Sequence, residues 1–270
     1  MTCAMSTPER RPFGDRPRVS LMGLTVDDVT LEEAVAEIAR ALEDRARGYV
    51  VTPNVDHVVR FAHESAFRAA YNEAMFSLAD SVPLVWGSRL LGRPLRGRVA
   101  GADLLPALCE MAAQRGCSAF LLGGGEGVAP RAAARLIERF PGLRVAGTHT
   151  PPEGFGADPA STAAAIDAVN RAQPDLLFVG LGSPRQELWV HQSWDRLAAT
   201  MAVCCGAAID YAAGVKRRAP RWMQRVGLEW LWRLLHEPRR LWRRYLVADA
   251  AFLGIVLREW WRLRVRKSSG

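Results

Sequence analysis

Asp175-Leu176-Leu177-Phe178-Val179-Gly180-Leu181-Gly182-Ser183-Pro184-Arg185-Gln186-Glu187 passes from an apolar run through a glycine-rich turn into the opening of a helical pattern. The apolar run lacks the alternation of a half-exposed strand, so it reads as a strand covered on both faces. Glycines and Ser183-Pro184 end it, and Pro184 to Leu197 reads as a helix. Buried strand, tight turn and helix form the unit of a parallel sheet with helical crossovers.

The same unit recurs outward along the chain. Tyr49 to Thr52, Met75 to Ala79, Cys117 to Leu122, Leu143 to Ala146 and Met201 to Cys205 read as strands. Leu31, Ala34, Val35, Ile38, Ala39 and Leu42 keep the helical period behind a Thr30/Glu33 capping box. Asp103 to Gln114, Pro130 to Arg139 and Ser161 to Ala172 also read as helices. The spacing predicts an α/β fold with a mostly parallel sheet flanked by helices. Near Gly214 strand signals stop, and Trp222 to Leu235 and Leu241 to Arg266 read as helices separated by Glu237-Pro238. Three regions are expected: a disordered leader over 1–17, an α/β core over 18–213, and a helical appendage over 214–270.

Composition divides at the same place. The chain of 270 residues is 49% hydrophobic and carries a net charge of +8. From Val215 onward 15 Lys and Arg face 4 Asp and Glu, leaving 21 basic and 24 acidic residues before it. The core is therefore mildly acidic and the appendage strongly basic, which suggests an anionic partner for the appendage. Trp260-Trp261, set among Arg258, Arg262, Arg264 and Arg266 and preceded by Leu253, Ile255, Val256 and Leu257, favours a membrane surface over nucleic acid or a plain solvated face. No stretch reaches the roughly 20 apolar residues of a membrane span, the longest candidate, Leu246 to Leu257, containing Asp249. Cys3, Cys109, Cys117, Cys204 and Cys205 show no C-x-x-C or zinc spacing. The first residues, rich in proline and arginine, lack the apolar core of a secretory signal.

Ligands of open parallel sheets bind beyond the carboxyl ends of the strands. There the sequence sets Thr52, Pro53 and Asn54; Asp80; Gly123-Gly124-Gly125; Gly182 to Glu187; and Gly206 with Asp210. Asp80 is the general-base candidate, since a carboxylate in a cleft can take a proton from an attacking hydroxyl. It could equally be a helix N-cap or turn residue, and Asp210 carries the same ambiguity. Gly123 and Gly124 lead into a helix and would suit either a phosphate cradle or a tight turn. Val128 stands where a G-x-G-x-x-G fingerprint needs its third glycine, so a nicotinamide oxidoreductase is disfavoured. His57 stands one helical turn from Asn54 and reads as a core or surface histidine. No D-x-D pair in an apolar setting announces a divalent metal.

Several of these pieces occur together in one known pattern. The chain resembles the WecG/TagA/CpsF glycosyltransferases, the inverting family 26. The resemblance is carried by Thr52-x-Asn54, Asp80, Arg98-x-x-Gly101-x-Asp103-Leu104, Phe120-Leu121-Leu122-Gly123-Gly124, Pro174-Asp175 and the block Gly180 to Glu187. It continues through Asp210, Gly214, Arg218-Ala219-Pro220, Gly227-Leu228-Glu229-Trp230 and Glu237-Pro238-Arg239-Arg240. It implies a Rossmann-like sheet of the GT-E type with a basic C-terminal helical appendage. It implies transfer of an N-acetylmannosamine-like sugar, or its uronic acid, from a UDP-sugar to a polyprenyl-diphosphate-linked saccharide, with inversion and without metal or other cofactor. Such enzymes serve cell-surface polysaccharide synthesis at the inner face of the bacterial plasma membrane and can self-associate. By position, Asp80 matches the catalytic base, and Thr52 and Asn54 line its pocket. Gln186 matches a donor-site glutamine and Asp210 a nucleotide contact. Arg233, Arg240 and Arg243 match appendage arginines that close over the diphosphate. The chain departs from the pattern at Ser81, where the family has glycine, and it lacks the aromatic residue preceding Asp210. The Ser81 departure leaves a non-catalytic, membrane-associated nucleotide-sugar-binding scaffold as the alternative reading.

Overall fold

The computed structural model describes residues 17–152, 154–156 and 158–268, with the side chains of 240, 243–250 and 266–268 outside that description. Apart from Pro17, the expected leader therefore lies outside the described residues. Strands β1 (Arg18–Leu21) and β2 (Leu24–Asp27) form an antiparallel hairpin. It turns at Met22 and Gly23, both at positive φ, as a tight two-residue hairpin requires. There follow α1 (Leu31–Glu43), β3 (Gly48–Val51), α2 (Val55–His63), α3 (Ser65–Asn72), β4 (Phe76–Ser77), α4 (Val82–Leu90), α5 (Gly101–Arg115) and β5 (Ser118–Gly123). Next come α6 (Val128–Arg139), β6 (Arg144–His149), α7 (Pro159–Ala172), β7 (Leu176–Gly180), α8 (Arg185–Ser193), β8 (Met201–Cys204) and α9 (Ala208–Ala212). Three helices close the chain: α10 (Arg221–Arg225), α11 (Glu229–His236) and α12 (Pro238–Ser268).

Strands β3 to β8 make one parallel sheet in the order β4-β3-β8-β7-β5-β6. Side-chain alternation splits each strand between two cores. Val50, Leu121, Phe178 and Val203 pack with α1, α5, α6 and α9, whereas Val51, Leu122, Val179 and Cys204 pack with α2, α3, α4, α7 and α8. Both faces are covered, which is why these strands read as unbroken apolar runs. Burying each such side chain contributes about 1.5–3 kcal/mol. The capping box at Thr30 forms as the sequence predicts, each side chain accepting from the other residue's backbone N–H.

The sequence reading differs from the structure in several places, and helices α2, α3, α4 and α9 were not read from it. The β1–β2 hairpin was not foreseen. The helix expected over Trp222 to Leu235 is broken at Gly227, whose φ of +73° no continuing helix adopts, giving α10 and α11. Glu237-Pro238, expected as a separator, starts α12 instead, because proline in a first helical turn gives up no hydrogen bond.

Helix α12 runs along α2 and crosses α4. Phe252 and Val256 are buried in the core layer they share with α2 and α4. The two helices meet at Gly87, where a Cβ would stand 3.4 Å from the Phe252 ring, an ordinary contact distance. Among the described residues, no helix is long and apolar enough to cross a membrane.

Candidate functional site

A cavity of about 930 Å³ opens at the carboxyl edge of the sheet, floored by the ends of β3, β4, β7 and β8 and covered by α4 and the three C-terminal helices. Gly180, Gly182 and Gly206 contribute backbone to its floor. A Cβ on Gly123 would stand 2.4 Å from the Gly180 carbonyl oxygen, and one on Gly180 would stand 2.9 Å from that of Gly206. The ends of β5, β7 and β8 can converge only because these positions are glycine.

Thr52 and Asn54 follow β3. The Thr52 hydroxyl donates to the Cys204 carbonyl at 3.0 Å and so ties β3 to β8. Asn54 caps α2, its side chain accepting from the His57 N–H. The buried His57 bridges the Asn54 amide at 3.4 Å and the Tyr71 hydroxyl at 2.7 Å. It lines the cavity and holds Asn54 from below, so the plain core reading is incomplete.

Asp80 follows β4, and its N–H donates to the Pro53 carbonyl at 2.8 Å. The N-cap position of α4 falls to Ser81, and no side chain caps that helix. The Asp80 carboxylate therefore serves no helix end, and the N-cap reading is set aside. It lines the cavity and makes no side-chain hydrogen bond among the described residues. Burial pushes its pKa up to about 6, with Glu229 adding to the shift and Arg98, Arg233 and Arg218 opposing it. A carboxylate raised to a pKa of about 6 is suited to accept a proton at neutral pH.

Gln186 opens α8 and is buried. Its amide donates to Glu187 at 2.7 Å, and its carbonyl oxygen accepts from the Gly206 N–H at 3.1 Å. Both polar ends are thus engaged within the protein, so Gln186 shapes the β8 turn as well as lining the cavity. Burial pushes the Glu187 carboxyl up to about 7, against the hydrogen bond from Gln186.

The cover is fastened by charge. Arg218 grips Asp103 with both guanidinium nitrogens, the Nη2–Oδ2 distance being 2.8 Å. Arg98 reaches Glu229 at 3.0 Å and Gln224 at 3.1 Å. The Arg218 Nε donates to the other Glu229 oxygen at 3.5 Å. Burial works to raise the Asp103 pKa, but the hydrogen bond and charge of Arg218 outweigh it and hold the carboxyl below the ordinary range. Lys216 bridges Asp210 at 3.2 Å and Glu237 at 3.3 Å. These pairs hold Arg98 and Lys216 at the cavity wall beside Arg233, with Arg218 behind them on Asp103 and Glu229.

The structure thus brings Thr52, Asn54, Asp80, Gln186, Asp210 and Arg233 to one cavity. Gly123 and Gly124 are not among the residues that line it. Gly123 serves the approach of β5 to β7, and a Cβ on Gly124 would meet Val128 at 2.8 Å. The side chains of Arg240 and Arg243 lie outside the described residues. Sequence reasoning gave no role to Arg98, Arg218, Lys216 or Glu229. Arg98, Arg218 and Glu229 stood within the quoted blocks, but no spacing along the chain shows which charges pair. Among the described residues, no group of His, Cys, Asp and Glu is arranged to hold a metal ion.

Comparison with known proteins adds a lineage to this geometry. The sequence profile of a family described as "Glycosyl transferase WecG/TagA/CpsF family" matches residues 19–266. An N-acetylglucosaminyldiphosphoundecaprenol N-acetyl-beta-D-mannosaminyltransferase from Bacillus spizizenii strain W23 is 32% identical over 233 residues, covering 86% of this chain and 88% of that protein. A protein of the same name from Staphylococcus aureus strain MW2 is 26% identical over 228 residues, covering 84% and 87%.

Proposed function

The chain belongs to the WecG/TagA/CpsF glycosyltransferase family, and on that premise we propose that it transfers an N-acetylmannosamine-like sugar, or its uronic acid, from a UDP-sugar to a polyprenyl-diphosphate-linked N-acetylglucosamine, with inversion. The observation that carries the reading is Asp80: a carboxylate at a strand end that faces the cavity and, among the described residues, makes no side-chain hydrogen bond, with Arg98 and Arg233 lining the same cavity and the charge of Arg218 also acting on it.

The chemistry is a single displacement. The acceptor hydroxyl oxygen bonds to the anomeric carbon as the bond to the diphosphate breaks, and that electron pair leaves with UDP. The hydroxyl proton passes to Asp80. Charge growing on the leaving diphosphate is met by the guanidinium groups of the cover and by Lys216, which does the work a divalent cation does in other transferases. Thr52 and Asn54 fix the backbone around the base, and Ser81 beside it adds a hydroxyl to the sugar's surroundings. The basic C-terminal region brings the site to an anionic membrane surface, where such an acceptor resides.

The test is a UDP-release assay in chelator, with a panel of UDP-sugars and polyprenyl-diphosphate N-acetylglucosamine, and Asp80→Asn as control. Acceptor-dependent release with one donor, lost in the variant, bears the reading out. Release that needs added divalent metal would refute the cationic cover as the counter-charge. No release with any donor, alongside retained UDP binding by calorimetry, would favour the non-catalytic scaffold.

A further inference from the structure

The wall of the cavity is polar at the strand ends and apolar on the opposite side. There Trp86 and Leu90 of α4 meet Phe252, Leu253 and Val256 of α12. Phe252 and Val256 are buried in the crossing, but Trp86, Leu90 and Leu253 are each more than half exposed. The apolar surface does not stop at the rim. Leu257, Trp261 and Val265 succeed Leu253 at intervals of one helical turn and stay exposed. A second cavity begins at Leu257 and follows α12 as far as Val265. From Leu253 to Val265 the stripe is about 18 Å long at the rise of an α-helix. Arg93, Arg258 and Arg262, with Glu259, flank it.

A soluble protein does not keep an apolar strip of this length open to water without a partner for it. We infer that the α4–α12 sector is the track of the acceptor's isoprenoid chain, leading it away from the sugar at Asp80 and out along α12. The occupant follows from continuity. An acceptor whose sugar lies against Asp80 must send its hydrocarbon out of the same cavity, and the α4–α12 side is the apolar wall of that cavity. The flanking arginines suit the anionic headgroups among which the hydrocarbon of such a lipid emerges. Burying leucine-sized surface against a prenyl chain strengthens binding by about an order of magnitude per side chain. The inference rests on the acceptor reading above and goes beyond it by assigning the lipid its own site, partly on the catalytic core rather than wholly on the appendage.

The test uses the full chain in solution, without vesicles or detergent, and two N-acetylglucosamine diphosphates, one esterified to farnesol and one to methanol. The readout is the ratio of kcat/KM for the two. The wild type should prefer the farnesyl acceptor, and Leu90→Glu and Leu253→Glu should each cut that preference about tenfold. Both residues are exposed, so neither change buries a charge in the core. Equal use of both acceptors by the wild type overturns the track. So does a preference that survives both substitutions while binding to anionic vesicles is lost, for then the stripe is a bilayer contact alone. Transfer to neither acceptor, with UDP-sugar still bound, marks failure of the acceptor reading itself and removes the track with it.

Discussion

The two halves of the cavity are built on different physics. The strand-end half is fixed mainly by backbone: the Asp80 N–H on the Pro53 carbonyl and the glycines at or just after the ends of β5, β7 and β8 in near contact, with the Thr52 hydroxyl on the Cys204 carbonyl as a side-chain tie. The cover, α10 to α12, is fixed by side-chain charge: Arg218 on Asp103 and Glu229, Arg98 on Glu229, Lys216 on Asp210 and Glu237. Hydrogen bonds within a sheet resist both salt and small changes of sequence. Half-exposed ion pairs weaken with salt and fail when one partner is lost. On the proposed mechanism the base thus sits on the backbone-held part, and most counter-charges for the leaving group sit on the part held by salt-sensitive pairs.

The largest effect that would break this division lies on the fixed side. Asp80→Asn should lower kcat by about 10²–10⁴ while UDP affinity measured by calorimetry stays near that of the parent. A comparable loss of UDP affinity would move Asp80 from the chemistry to the donor site. With a carboxyl pKa of about 6, kcat/KM of the parent should rise with pH through 6 and level off above it. Stability runs the other way. The folded chain holds the proton to about pH 6, whereas the ordinary value is 3.8, so the folded state binds more protons between those values and stability falls as pH rises through that window. Above pH 6 the ionised group costs the fold up to about 3 kcal/mol, so Asp80→Asn should melt above the parent there and level with it below pH 4.

On the cover, Arg218→Ala strips a guanidinium from two part-buried carboxylates. We expect about a tenfold fall in transfer and a loss of about 2–3 kcal/mol, with Arg218→Lys recovering part of both. Raising salt should weaken the parent's use of UDP-sugar more than it lowers its melting temperature; equal sensitivity of the two would mean the cover is as fixed as the sheet. Gly123→Ala perturbs the fixed side without touching the cavity wall. Its φ of +124° and a Cβ 2.4 Å from the Gly180 carbonyl oxygen should cost about 2–4 kcal/mol by denaturant titration, and a neutral result would show that β5 can retreat from β7. Thr30→Ala, far from the cavity, should cost about 1 kcal/mol and leave transfer untouched, the baseline for scaffold damage alone.

Much of the fixed half was legible because its residues announce themselves locally. An apolar run that ends in Thr52, Asp80 or Gly182 tells both where a strand stops and what stands at its end. The cover was legible only as helices and charge. That Arg98 and Glu229, 131 residues apart, share a hydrogen bond is a tertiary fact with no periodic signature. The break at Gly227 and the start at Pro238 were misread for a related reason, since glycine and proline each have several permitted places near a helix end. The β1–β2 hairpin escaped because its strands are four residues long and turn on Met22-Gly23 rather than on Asn-Gly or Asp-Gly.

The glycine floor sets terms for how a lineage with this fold can diversify. Where the floor is peptide backbone, mutation has no side chain to exchange, and replacing Gly180 brings a backbone collision rather than a new contact. Heritable change in which sugar is accepted therefore has to enter through the rim, at positions such as Ser81, Trp86 and Tyr211, while the floor beneath them is inherited intact.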